Sequence, residues 1–180
     1  MPGSPAVFLD RDGILNRAIV IQGRPYPPAT VQQVEIIAGM GPELERLCTA
    51  GYLLIGITNQ PDVARGTQNQ ATVESINSHI LSQLPLLEIF VCYHDDLDDC
   101  ECRKPRPGLI IRAAKQYNVD LSRSWMVGDR WKDIAAGRTA GLRTIFVDYS
   151  YSEAYNCPPA EFSVRAPQEI AGIVLKDLVS

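Results

Sequence analysis

The sequence predicts an α/β fold, a parallel sheet covered by helices on both faces. Two observations carry this expectation. Short, wholly apolar runs alternate with segments of helical period, as βαβ crossovers require. Polar clusters directly follow some of those runs, namely Asp10-Arg11-Asp12-Gly13, Thr58-Asn59-Gln60 and Gly128-Asp129-Arg130. Open parallel sheets bind their ligands outside the carboxyl ends of the strands.

The elements follow in order. Ala6–Leu9 is apolar throughout and reads as a buried strand. Leu44–Cys48 carries a helical pattern, with Pro42 suited to a first turn and Gly51 placed to end it. Tyr52–Ile57 is a second buried strand. Ala71–Leu84 is helical, with Asn69 as its cap and Pro85 after its end. Leu87–Cys92 is a third strand, and Gly108–Tyr117 is a helix after a proline-rich turn. Trp125–Val127 is a short strand, Lys132–Ala140 a helix ending at Gly141, and Thr144–Val147 a fifth strand. Pro167–Leu178 reads as a C-terminal helix, whereas Gln22–Thr30 and Tyr149–Pro167 read as irregular.

The length of 180 residues fits one domain over 1–180. With 46% hydrophobic and 21% charged residues, disorder, collagen and coiled coil are excluded as the main architecture. The net charge of −4 argues against nonspecific binding to nucleic acid. No stretch approaches the ~20 apolar residues of a membrane helix. Met-Pro-Gly-Ser-Pro lacks the basic start of a signal peptide. The expectation is a cytoplasmic monomer with no nucleic-acid or membrane partner. The five cysteines, an odd count, argue against a disulfide framework.

Asp10 and Asp12 stand two residues apart at a strand end, where both can face one site, and Gly13 permits a turn. Asp129 arrives at the end of another strand. Converging carboxylates repel one another unless a cation or proton intervenes. Three of them suit Mg²⁺. An isolated Asp-x-Asp caps a loop as readily. Here Thr58-Asn59 supplies a hydroxyl and amides, and Arg103-Lys104 supplies cations.

Cys92, His94, Cys100 and Cys102 make a closed Cys₃His set suited to structural Zn²⁺, with no open position for water. Asp95, Asp96, Asp98 and Asp99 in the same loop read as a solvated acidic loop rather than a second metal site. Cys48, on an apolar helix face, reads as core, and Cys157 has no partner in sequence.

Asp10-x-Asp12-Gly13, Thr58-Asn59, Lys104 and Gly128-Asp129-x-x-x-Asp133 resemble the four motifs of the haloacid dehalogenase-type phosphatases, over about residues 6–148. The resemblance implies a Rossmann-like parallel sheet with no cap domain and a zinc-bound loop. It implies a Mg²⁺-dependent phosphoric monoester hydrolase. Asp10 would be the nucleophile that forms an aspartyl-phosphate, and Asp12 the general acid and base. Thr58 and Lys104 would hold the phosphoryl oxygens. Asp10, the main-chain carbonyl of Asp12, and Asp129 would hold Mg²⁺, while Asp133 would orient Lys104 or the metal shell.

Two branches of the family carry a zinc loop before Arg-Lys-Pro, the heptose bisphosphate phosphatases and the histidinol-phosphate phosphatases. Phe8–Asn16 and Thr58–Gly66, with its Ala-Arg-Gly, resemble the heptose branch. That branch implies a phosphorylated sugar substrate on the route to nucleotide-activated heptose of the lipopolysaccharide core. Substrate contacts would fall to Asn59, Gln60, Pro61, Arg103 and Arg130, with Arg103 reading the phosphate at the far end of the sugar and Arg130 a second candidate for that role. After Asn16, where those enzymes carry an acidic segment with Gly-Tyr, Arg17–Ile21 stands instead. A non-enzymatic zinc-binding module and a polynucleotide end-phosphatase are the rival readings. The first leaves the strand-end residues unexplained, and the second lacks a basic-aromatic stripe.

Overall fold

In the computed structural model, which describes residues 3–152 and 158–176, the chain opens with β1 (Ala6–Leu9) and a hairpin of β2 (Ile19–Ile21) and β3 (Arg24–Tyr26). Helices and strands then alternate: α1 (Met40–Thr49), β4 (Leu53–Asn59), α2 (Gln70–Leu81), β5 (Glu88–Cys92) and α3 (Gly108–Tyr117). They continue through β6 (Trp125–Gly128), α4 (Trp131–Thr139), β7 (Arg143–Val147), β8 (Phe162–Val164) and α5 (Ile170–Lys176).

Six strands pair in the order β5-β4-β1-β6-β7-β8, every pair parallel. The chain leaves β1 toward β4 and β5, then crosses back to β6 on the other side of β1. That reversal opens a crevice at the carboxyl ends of β4, β1 and β6, where such sheets bind ligands.

Both faces of the sheet are apolar, and each carries its own core. Met40, Leu44 and Leu47 of α1 recur at helical spacing. They pack with Ile76 and Ile80 of α2 and Ile170 and Val174 of α5 against Val7, Leu9 and Val127. On the other face Leu109, Ile110 and Ala113 of α3 and Ala136 of α4 cover Phe8, Ile55, Ile57 and Met126. Asn69 caps α2 by accepting from the Ala71 amide at 2.8 Å. Among the described residues no helix is long and apolar enough to cross a membrane.

Several expectations need correction. Residues 19–26 form a hairpin because Gln22 and Gly23 take φ of 51° and 76°, the left-handed pair that a tight two-residue turn needs. Glutamine in place of the usual Asn or Asp hid that turn. The short edge strand β8 lies in the segment expected to be irregular and pairs with β7. Thr58 and Asn59 belong to β4 itself, paired with Val91 and Cys92. Cys48 is exposed rather than core. Cys157 and the last two residues of the expected C-terminal helix lie outside the described residues.

Candidate active site

Strand pairing delivers Asp10 to the crevice: the buried run 6–9 ends there, and the Asp10 amide donates to the Val127 carbonyl at 2.9 Å. Lys104 reaches it from the segment before α3. The lysine ammonium lies 2.7 Å from Asp10 Oδ1 and 2.6 Å from Asp133 Oδ1, and donates to the Ile57 carbonyl at 2.8 Å. All three of its hydrogens are thereby aimed. Asn59 fixes the lysine backbone, donating to its carbonyl at 3.0 Å and accepting from its amide at 3.1 Å. Burial works against the Lys104 charge, but Asp10 and Asp133 outweigh it and hold the ammonium above its ordinary range.

Asp10, Asp129 and Asp133 are all buried, each with a carboxylate oxygen within 4.8 Å of the others. Burial first, then Asp133, pushes Asp10 up to about 7, against the opposing pull of Lys104. Burial and Asp10 push Asp129 well above the carboxylate range. Neither oxygen of Asp129 meets a hydrogen-bond partner among the described residues, although Tyr151 lies close enough for each group to shift the other. Buried polar atoms are normally paired, so two orphaned carboxylate oxygens fit a site for a hard cation. Glycine makes the room: Gly13, at φ 95°, would place a Cβ 2.0 Å from Asp129 Oδ2, and Gly128 would place one 2.2 Å from the Asp133 Cβ. The Asp12 side chain does not join this group; Asp133 does.

A pH effect follows. A carboxylate raised from 3.8 to about 7 favours the metal-free fold fully below 3.8, and that contribution is lost as pH rises through 7. Cation binding needs the same groups ionised. The rise in melting temperature produced by Mg²⁺ should therefore be at least about 3 °C larger at about pH 8 than at about pH 5.5. A thermal-shift series with the same Mg²⁺ effect at both ends would place the cation elsewhere.

Asp12 is held differently. Its Oδ1 accepts from Arg11 Nε at 3.2 Å and Asn16 Nδ2 at 3.0 Å. Its Oδ2 accepts from Arg11 at 2.9 Å and Gln60 Nε2 at 3.0 Å. Arg11 is fully buried and also donates to Asn77 Oδ1 of α2 at 2.9 Å. Gln60 also donates to Thr58 Oγ1 at 2.8 Å. Gln60, expected to contact substrate, is instead buried behind Asp12 and Thr58 and braces both. Sequence reasoning missed Arg11 and Asn77. A buried arginine gives no pattern of its own, and its partner lies 66 positions away.

A cleft of about 490 Å³ opens over this cluster. Asp10, Asp12, Thr58, Asn59, Pro61 and Lys104 face it, and Arg103 and Arg130 stand on its walls. The hairpin, in a segment expected to be irregular, adds Arg24 and Tyr26, the Ala-Arg-Gly segment adds Arg65, and α4 adds Lys132. Arg130 opens α4, and its amide donates to Asp133 Oδ2 at 3.0 Å.

Cys92, His94, Cys100 and Cys102 converge beside the cleft. Cys102 Sγ lies 3.2 Å from Cys92 Sγ, 3.4 Å from Cys100 Sγ and 3.2 Å from His94 Nδ1. Cys92 Sγ lies 3.7 Å from Cys100 Sγ and 3.6 Å from His94 Nδ1. Tetrahedral Zn²⁺, with bonds of about 2.3 Å to sulfur, needs ligand separations of about 3.5–3.8 Å; the four atoms fit it with slight expansion. Arg103 follows the last thiol directly and donates to the His94 carbonyl at 3.3 Å.

Comparison with known proteins agrees with this geometry. A family model described as HAD-hydrolase-like matches residues 101–163. A D-glycero-beta-D-manno-heptose-1,7-bisphosphate 7-phosphatase of Haemophilus ducreyi is 34% identical over 154 residues, covering 79% of this chain and 81% of its own. One of Helicobacter pylori is 36% identical over 146 residues, covering 77% and 79%. Among solved structures, the D,D-heptose 1,7-bisphosphate phosphatase of B. bronchiseptica, complexed with magnesium and phosphate, superposes with a TM-score of 0.81 at 26% identity, over 96% of this chain and 99% of that one.

Proposed function

This chain belongs to the heptose-1,7-bisphosphate 7-phosphatase family of HAD-type hydrolases, and from that premise we propose that it removes the C7 phosphate of D-glycero-D-manno-heptose 1,7-bisphosphate. Its place is the cytoplasmic route to nucleotide-activated heptose, and it works as a single-domain monomer. The histidinol-phosphate alternative is not favoured by these relatives. The observation that carries the proposal is the meeting of Asp10, Lys104 and Asp133 in a cleft lined by arginines, with Asp129 buried against the same carboxylates.

The chain's own residues account for the steps. Asp10 attacks phosphorus, and the bond from phosphorus to the C7 oxygen breaks. Asp12 gives its proton to the departing alkoxide, then takes one from the water that attacks the aspartyl-phosphate and restores Asp10. The Thr58 hydroxyl and the Lys104 ammonium hold the phosphoryl oxygens as charge builds. Asp133 and the Ile57 carbonyl keep Lys104 aimed. Asp10, Asp129 and the Asp12 carbonyl would hold Mg²⁺, which would supply the positive charge that lets a carboxylate approach a phosphate. Cys92, His94, Cys100 and Cys102 would hold Zn²⁺, which would fix the loop that positions Arg103.

Arg103 and Arg130 receive the phosphate on C1. Wild-type kcat/KM should favour the 1,7-bisphosphate at least about tenfold over heptose 7-phosphate and over histidinol phosphate, with Arg103→Ala losing about 30-fold on the bisphosphate alone. An unchanged bisphosphate preference removes Arg103 from this role. Faster turnover of histidinol phosphate by the wild-type enzyme overturns the proposal.

A further inference from the structure

The cationic end of the cleft already contains an anion. Asp96, on the short turn inside the zinc loop, accepts from Arg103 Nε at 2.8 Å through Oδ1. Lys132 Nζ of α4 lies 3.6 Å from the same oxygen. Arg65, from the loop after β4, places a guanidinium nitrogen 3.7 Å from Oδ2. Cations from three separate segments thus converge on one carboxylate, and all four residues line the cleft. Arg65 is also tied to the neighbouring Asp95 at 2.5 Å and 2.9 Å, which anchors it to this loop.

Burial is uneven across the cluster. The Arg103 side chain is 10% exposed and is held by the His94 carbonyl, whereas the Asp96 side chain is 61% exposed. An ion pair with a solvent-facing partner is weak, so the carboxylate can swing into water while the guanidinium stays.

We infer that Asp96 is a displaceable counter-anion for the subsite that receives the substrate's second phosphate. In the free enzyme it gathers Arg65, Arg103 and Lys132. A phosphate, with more charge and more acceptor oxygens than a carboxylate, replaces it. Displacing it costs part of the binding energy of the second phosphate, so Asp96 raises KM for the bisphosphate and leaves a substrate without that phosphate untouched. This rests on the bisphosphate reading given above.

The test is Asp96→Asn, assayed on heptose 1,7-bisphosphate and on heptose 7-phosphate, with Asp99→Asn as control. Asp99 pairs with Arg106 instead, and bound zinc reports that each variant keeps its loop. KM for the bisphosphate should fall about fivefold, while kcat, and KM for the monophosphate, hold. The control should match wild type. A higher KM for the bisphosphate makes Asp96 a substrate contact or a brace for Arg103, and overturns the inference. An equal fall for both substrates is a general charge effect and also overturns it. If the wild-type enzyme prefers the bisphosphate and Asp96→Asn changes nothing, the inference fails alone. If the wild-type enzyme hydrolyses neither substrate, the proposed function fails and the inference falls with it.

Discussion

Asp10→Asn is expected to lower kcat by about 10⁴-fold or more while leaving the protein at least as stable as wild type. A carboxamide has the shape of a carboxylate and keeps an oxygen for Lys104, so the 2.7 Å contact survives as a hydrogen bond. It has no anionic oxygen with which to attack phosphorus. The stability half of the prediction comes from burial. Asp10 is pushed up to about 7 because burial, Asp133 and Asp12 all disfavour its charge. A neutral side chain removes that repulsion, and Lys104 retains Asp133 as its partner at 2.6 Å. A residue that costs stability and is needed for turnover is the usual trade at a reactive site. Calorimetry beside the rate assay separates the two effects. An inactive variant with a melting temperature several degrees lower would make Asp10 a structural residue.

Lys104→Gln should cost about 10³-fold in kcat, the scale of losing a preorganised donor to the transition state. It should also move the acid limb of the pH–rate profile to higher pH. Lys104 is the group that draws Asp10 down against its burial. Without it Asp10 stays protonated further into the neutral range, and protonated Asp10 cannot attack. Glutamine keeps a donor toward the Ile57 carbonyl, which lessens the harm of leaving two buried carboxylates without their cation. A Lys104→Gln enzyme with a reduced rate but an unmoved acid limb would show that the lysine holds phosphate without tuning Asp10.

The central strands were legible because parallel strands buried on both faces leave unbroken apolar runs. Ala6–Leu9 is wholly buried from end to end. The acids and hydroxyl at their ends were legible for the same reason, since Asp10, Thr58 and Asp129 interrupt such runs. The hairpin was not, because β2 and β3 are three residues each, partly or fully exposed, and carry Pro25. The edge strand β8 is equally short, with two of its three residues exposed. The walls of the cleft were hardest to read. Arg65 and Lys132 look like ordinary surface charges until folding brings them to Asp96. Asp96 itself reads as one acid among four in a solvated loop. Arg11 sits inside a motif that was singled out, yet its side chain turns inward to clamp Asp12, which only the position of Asn77 on α2 reveals.

The claim on which the mechanism depends is that Asp10 carries the phosphoryl group. The direct measurement is to acid-quench the enzyme during turnover with Mg²⁺ and heptose 1,7-bisphosphate, reduce it with borohydride, and read the N-terminal peptide by mass spectrometry. An acyl phosphate is reduced to an alcohol, so the account predicts homoserine in place of Asp10 in wild type and none in Asp10→Asn. Full turnover with Asp10 unmodified in every quenched sample, or the reduced residue found at Asp12 or Asp129, would contradict it.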